Sequence, residues 1–230
     1  MAQRFDPRLD VLSAAQQKLW THLSPAPRLS LVLYGGTAVA LFLGHRVSVD
    51  FDFFQAHPLD KEQLRQSFDF FDGSAVVQDA PNTLAVLARM PSRPVRVSFF
   101  GGIGFGRVNE PLLTRDGTPS VASLDDLMAT KLKAVLDRAE AKDYRDIAQM
   151  ISAGVSLAAG LGAFQRMFKG EPAQVLRAIG HFKDGDLPTL AKADQELLRN
   201  ARDRVMDIPE IRVTPGSLAV PLGGRDEAAP

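Results

Sequence analysis

LVLYGGTAVALFLGHRVSVDFDFF, residues 31–54, decides how the rest of the chain is read. An apolar run ending in Tyr34 predicts a strand, Gly35-Gly36 a sharp turn, and residues 37–43 a short helix. A Gly44-His45-Arg46 corner leads into VSVDFDFF, which alternates with a period of two. Val47, Val49, Phe51 and Phe53 are expected on one face, and Ser48, Asp50 and Asp52 on the other. Carboxylates two residues apart on one strand stand about 7 Å from each other, from a rise of about 3.3 Å per residue. Held beside apolar surroundings they raise each other's pKa unless a cation intervenes, and such an oxygen pair suits Mg²⁺ or Mn²⁺. Glycines let a backbone approach a ligand closely, and the N–H groups opening a helix at Thr37 favour an anion. A phosphate cradle followed by a two-carboxylate metal site describes nucleoside triphosphate chemistry. The bland alternative is a solvated acidic strand after an ordinary glycine turn.

The order of these pieces resembles a known family. GGTAVAL followed by GHRVSVDFDFF is similar to the first two motifs of the AbiEii/AbiGii-type nucleotidyltransferases, relatives of the DNA polymerase β superfamily. Further along, Lys131, Leu132, Ala134 and Arg138, then Lys142, Asp143 and Asp146, resemble the third and fourth. The resemblance spans residues 35–146. It implies an α+β fold, with a polymerase β-like core (a small mixed sheet with helices) followed by a helical C-terminal domain. It also implies transfer of a nucleoside monophosphate from an NTP to a hydroxyl of RNA, a tRNA end included, or of protein. Members include toxins of bacterial toxin–antitoxin and phage-defence systems, so a cognate antitoxin is an expected partner. Carried over by position, Asp50 and Asp52 are the expected metal ligands and Gly35, Gly36, Thr37, Arg46, Ser48 and Arg138 the nucleotide-binding set. Lys131 is expected to neutralise charge on the transferring group, and Asp143 to position metal or activate the acceptor.

Composition agrees with a soluble globular protein: 230 residues, 45% hydrophobic and 23% charged. Net charge is zero, so any RNA contact must come from a local patch. The absence of cysteine excludes disulfides, thiolate zinc sites and a cysteine nucleophile. No signal-peptide core or membrane-length apolar run is present, and the bacterial cytoplasm is the expected location.

Taken in order, residues 8–24 predict a helix ended by Pro25 and Pro27, and 29–34 the first strand. Asp60 is an expected cap for a helix to about Phe70, and 75–77, 83–88 and 95–100 read as strands. Helices packed on one side of a small sheet are the expected core over residues 1–118. Many polymerase β relatives carry a third acid on a strand beside the pair. Here PVRVSFF offers Arg96 and Ser98 instead, which keeps open a nucleotide-binding module without turnover. GGIGFG at 101–106 lacks phosphate-loop spacing and reads as a turn.

From Ser123 the pattern turns helical, with Leu124, Leu127, Met128, Leu132 and Val135 on one arc and Lys131 in its middle. A cation there is costly unless paired, so Lys131 is expected to face the carboxylates or a bound phosphate, and Lys133 solvent. Asp143 is expected in the same cleft, with Asp146 farther back against Arg138 or Lys142. Helices at 156–169, 172–182 and 188–206 complete an expected helical domain over 119–206, followed by a Pro/Gly-rich tail, 207–230, expected to drape over the surface or be disordered.

Overall fold

The computed structural model describes residues 3–220. One mixed sheet runs through it, built from β1 (Arg4–Phe5), β2 (Val32–Tyr34), β3 (Asp50–Phe54), β4 (Ala75–Ala80), β5 (Thr83–Ala88), β6 (Val95–Phe100), β7 (Leu112–Thr114) and β8 (Ser120–Val121). Its spatial order is β1-β7-β8-β2-β3-β6-β5-β4. The helices are α1 (Ala14–Trp20), α2 (Gly35–Leu43), α3 (Lys61–Ser67), α4 (Leu124–Asp137), α5 (Ala141–Ser152), α6 (Leu157–Phe168), α7 (Pro172–Ala178) and α8 (Lys192–Asp203). The architecture is α+β. Helices α4 and α5 pack on each other and on α2, which brings the later half of the chain against the glycine turn and β3.

The centre of the sheet follows from its apolar alternation. Phe51 and Phe53 are fully buried, and Phe53 stacks on Phe99 of β6 with ring centres 5.7 Å apart. Strands β3 and β6 run parallel, pairing Asp50 with Arg96, Asp52 with Ser98 and Phe54 with Phe100. Strand β2 runs antiparallel on the other side and sets Tyr34 beside Asp52. The face opposite the core therefore reads Asp50, Asp52, Phe54 along one strand and Arg96, Ser98, Phe100 along the next. Polar residues occupy one end of it and rings the other.

Several elements differ from the sequence reading, each for a local reason. The expected helix over 8–24 is interrupted: a 3₁₀ turn covers Leu9–Val11, and α1 starts afresh at an extended Ser13. The Ser13 hydroxyl accepts the Gln16 N–H at 3.3 Å, and the Gln16 side chain accepts the Ser13 N–H at 3.0 Å. This reciprocal cap opens a new helix where apolar spacing alone continues an old one. The first strand is shorter than 29–34, because Leu29 closes a 3₁₀ turn and Ser30 takes φ 56° before β2 begins.

Val47 and Val49 do not join the apolar face of β3, which begins only at Asp50; they stand 60% and 46% exposed. Asp60 caps α3 by accepting the Gln63 N–H at 2.9 Å, and that helix stops at Ser67. Strand β4 runs on to Ala80. GGIGFG is a loop anchored by main-chain bonds, Gly101 to Asn82 and Gly102 to His57.

Ser120–Val121 lies beyond residue 118 yet pairs with β2 inside the sheet. The segment after α8 returns to the body of the protein. Thr214 and Arg107 exchange main-chain hydrogen bonds of 2.8 and 3.0 Å, and Leu218 is buried. Residues 221–230 of the expected tail lie outside the described residues.

Candidate active site

A cleft of about 360 Å³ opens between the sheet face and α4–α5, and its wall includes Gly35, Gly36, Ser48, Asp50, Asp52 and Lys131. Arg46, Arg96, Arg138 and Lys142 complete a basic rim around it. Five cations and two carboxylates line this cleft; of the cations, Arg46, Lys131, Arg138 and Lys142 are paired with Asp143, Asp146 and Glu140.

The turn that starts α2 fixes the floor. Gly35 has φ +76°, and a Cβ there would lie 2.8 Å from Asp52 Oδ2. Only glycine lets this backbone and that carboxylate approach so closely. At Gly36 a Cβ would collide with the Arg46 guanidinium, and it would lie 3.3 Å from the Ser48 hydroxyl. Thr37 is buried, and its hydroxyl donates to the main-chain carbonyl of Asp50. That bond ties the start of the helix to the start of β3. Gly35→Ala is expected to destabilise the protein by about 1–3 kcal/mol through backbone strain, measured by urea unfolding. Stability equal to wild type would mean the loop relaxes freely.

Asp50 and Asp52 share one half-buried face. Burial, and then the charge of Asp50, raise the Asp52 carboxyl above its usual pKa; the Ser98 hydroxyl and the charges of Arg96 and Lys131 counter this only in part. Two acids in this state accept a hard divalent cation readily, because a cation between them removes the repulsion. Among the described residues no group of three or more His, Asp or Glu side chains is arranged to hold a metal. Asp50 and Asp52 are the acidic side chains of the cleft wall with which such an ion would be held.

Behind the cleft wall lies a buried ion network. Lys131, 5% exposed on α4, reaches Asp143 at 2.6 Å and Asp146 at 2.7 Å, both fully buried on α5. Arg138 donates to Asp143 at 2.8 Å. Arg46 clasps Asp146 with two nitrogens, at 2.6 and 2.8 Å, and His45 Nε2 contacts the same carboxylate at 2.7 Å. Burial opposes ionisation of both acids, yet the surrounding cations and donors outweigh it. Asp143 lies below the usual carboxylate range and Asp146 well below it.

Residues 19–210 match the family described as nucleotidyl transferase AbiEii toxin, Type IV TA system. The chain belongs to this AbiEii family. No curated protein matches the chain. Among solved structures it is similar to an antigenic nucleotidyltransferase-like protein from Paracoccidioides brasiliensis, at 18% identity and a TM-score of 0.44. That match covers 82% of this chain and 91% of the other. As an AbiEii protein the chain is a nucleotidyltransferase of α+β fold. No helix among the described residues is long and apolar enough to cross a membrane.

In this AbiEii member the expected residues divide into two layers. Gly35, Gly36, Arg46, Ser48, Asp50, Asp52, Lys131 and Arg138 line the cleft. Thr37 sits beneath it. Asp143 stands behind it, with one oxygen on Lys131 and the other on Arg138. Asp146 departs from the sequence reading: Arg138 turns to Asp143, Lys142 pairs with Glu140, and Asp146 instead joins Lys131 to Arg46 and His45. Sequence reasoning gave His45 no role, although its place beside Arg46 at the corner was the available signal. Lys133 does point away, pairing with Asp137 on the solvent side of α4.

This network fixes the sign of the acid response. A carboxylate with a lowered folded-state pKa adds stability above its unfolded pKa, about 4, and that contribution is lost as pH falls through the folded value. Acid titration followed by circular dichroism is expected to show cooperative unfolding below about pH 4. Asp146→Asn should be less stable at neutral pH and flatter on the acid side. An unchanged acid limb in that variant would assign the transition to other carboxylates.

Proposed function

We propose that this AbiEii protein moves a nucleoside monophosphate from an NTP to a hydroxyl of RNA or protein, and that a cognate antitoxin restrains it. The observation carrying this reading is the Asp50–Asp52 pair facing the glycine-opened end of α2 within one basic cleft. The N–H groups at Gly35, Gly36 and Thr37 gather at a helix N-terminus, where the dipole favours phosphate oxygens. The Ser48 hydroxyl adds a donor at the same end. Asp50 and Asp52 are the residues that would hold Mg²⁺ or Mn²⁺, which when bound would neutralise triphosphate charge and polarise the α-phosphorus. Lys131 and Arg138 face the same space and offset charge that builds on the transferring group and on departing pyrophosphate. In this reading Asp143 and Asp146 act one layer back. They hold Lys131, Arg138 and Arg46 in place, so the cations are set before substrate arrives.

Radiolabelled NTPs incubated with the protein, Mg²⁺ and total RNA, and separately with cell protein, test the assignment. Label in either acceptor, with pyrophosphate released, is the expected result. Nucleotide retention without transfer to either would favour a binding module, a reading that the Arg96–Ser98 pair, in place of a third acid, supports.

A further inference from the structure

A second chamber, about 290 Å³, adjoins the glycine cleft. The two share Gly35, Asp52, Lys131, Arg138 and Phe100, so the reacting groups stand in the partition between them. The character of the second chamber is different. Tyr34, Phe54 and Phe100 form one wall, while Thr130 and Ala134 of α4 form the other. Tyr34 and Phe54 lie nearly parallel with ring centres 4.8 Å apart, and Phe100 meets Phe54 edge-on at 5.2 Å. Phe54 and Phe100 are only partly buried. They follow Asp52 and Ser98 by two residues each, so strand alternation turns them to the same face as the acids.

Resting on the transfer reading above, we propose that this chamber is a nucleobase subsite. The partly exposed rings of Phe54 and Phe100, next to the glycine cleft, match a ligand that is charged at one end and flat and aromatic at the other. Stacking on such rings tolerates any base, because every base has a π-face. The Thr130 hydroxyl, on the other wall, donates to the Leu127 carbonyl at 3.0 Å and remains able to accept a hydrogen bond from a base edge. Both the incoming NTP and a nucleotide acceptor carry a base, and the test separates the two sources.

Ala134→Phe fills the chamber from the α4 side and leaves the aromatic wall intact. Phe100→Ala removes stacking surface without filling it. Variants whose circular dichroism and melting match wild type are carried forward. Affinity is measured for a non-hydrolysable αβ-methylene NTP and for inorganic triphosphate, which lacks a base; KM is measured for a short single-stranded RNA with a free 3′ hydroxyl. A loss of roughly tenfold or more for the NTP, with triphosphate unchanged, assigns the chamber to the incoming nucleotide. Unchanged NTP and triphosphate binding with a raised RNA KM assigns it to the acceptor. Equal losses for NTP and triphosphate, or no change in any arm, overturn the nucleobase assignment while leaving transfer standing. Wild-type protein that binds neither NTP nor triphosphate overturns the transfer reading, and this assignment with it.

Discussion

Asp50→Asn and Asp52→Asn proteins are each expected to lose transfer by roughly a thousandfold or more, the several kcal/mol that carboxylate-held metal contributes to such chemistry. The same changes should leave the fold intact, and Asp52→Asn should be the more stable protein at neutral pH. Asp52 has a raised carboxyl pKa in the folded state. Its contribution to stability is therefore full below the unfolded pKa, and is lost as pH rises through the folded value. Replacing it with a neutral amide removes a charge the fold disfavours, so a raised melting temperature at pH 7 is expected. Thermal melting at pH 7 and at pH 4 separates the two contributions, because the advantage should shrink toward pH 4. Full transfer by both variants would sink the assignment of the pair as the metal-holding acids.

The second large effect concerns Lys131, and its sign runs against the intuition that removing a buried cation stabilises. Lys131→Met strips one partner from two fully buried carboxylates. Breaking a buried ion pair from one side costs about 3–5 kcal/mol, since the remaining charge stays desolvated. Arg138 still holds Asp143, and Arg46 still holds Asp146, so about 3 kcal/mol is expected here. Lys133→Met is the control. It loses only an exposed pair with Asp137, and its change should stay within about 0.5 kcal/mol. Urea unfolding of both variants measures the difference. A Lys131→Met protein as stable as wild type would mean that the network carries no net stabilisation. Transfer should fall as well, measured at a temperature where the variant remains folded.

How legible all this was depended on distance along the chain. Strands β5 and β6 are bounded as the sequence reading has them, because Pro, Asn and Gly punctuate both ends of two clear apolar runs. The placement of Lys131 inward and Lys133 outward follows from helical angle alone. The acids of β3 face one way because a strand alternates, whatever surrounds it. By contrast β1, β7 and β8 are two or three residues long, too short to show a period. Val47 and Val49 alternate with Asp50 as a strand would, but the chain has not yet reached its partner strand at that point. The partners of Asp146 were illegible for a different reason. Arg46 and His45 lie about a hundred positions earlier, and no local spacing records which cation a buried acid will meet. The aromatic chamber was missed although its pattern was present, since Phe54 and Phe100 extend the same alternation as Asp52 and Ser98.

The Arg46–Asp146 clasp spans 100 residues of sequence, and this bears on when the protein acquires its chemistry. Contacts between distant segments form late, because closing a long loop costs entropy before the contact rewards it. A nascent chain carrying the glycine turn and both acids of β3 still lacks α4 and α5, and so has no Lys131 to face them. Competence for transfer is thereby expected only once α4 and α5 have been made and packed. A ribosome that stalls before Lys131 leaves a fragment with Asp50 and Asp52 but without Lys131 and Arg138, and such a fragment should be inert.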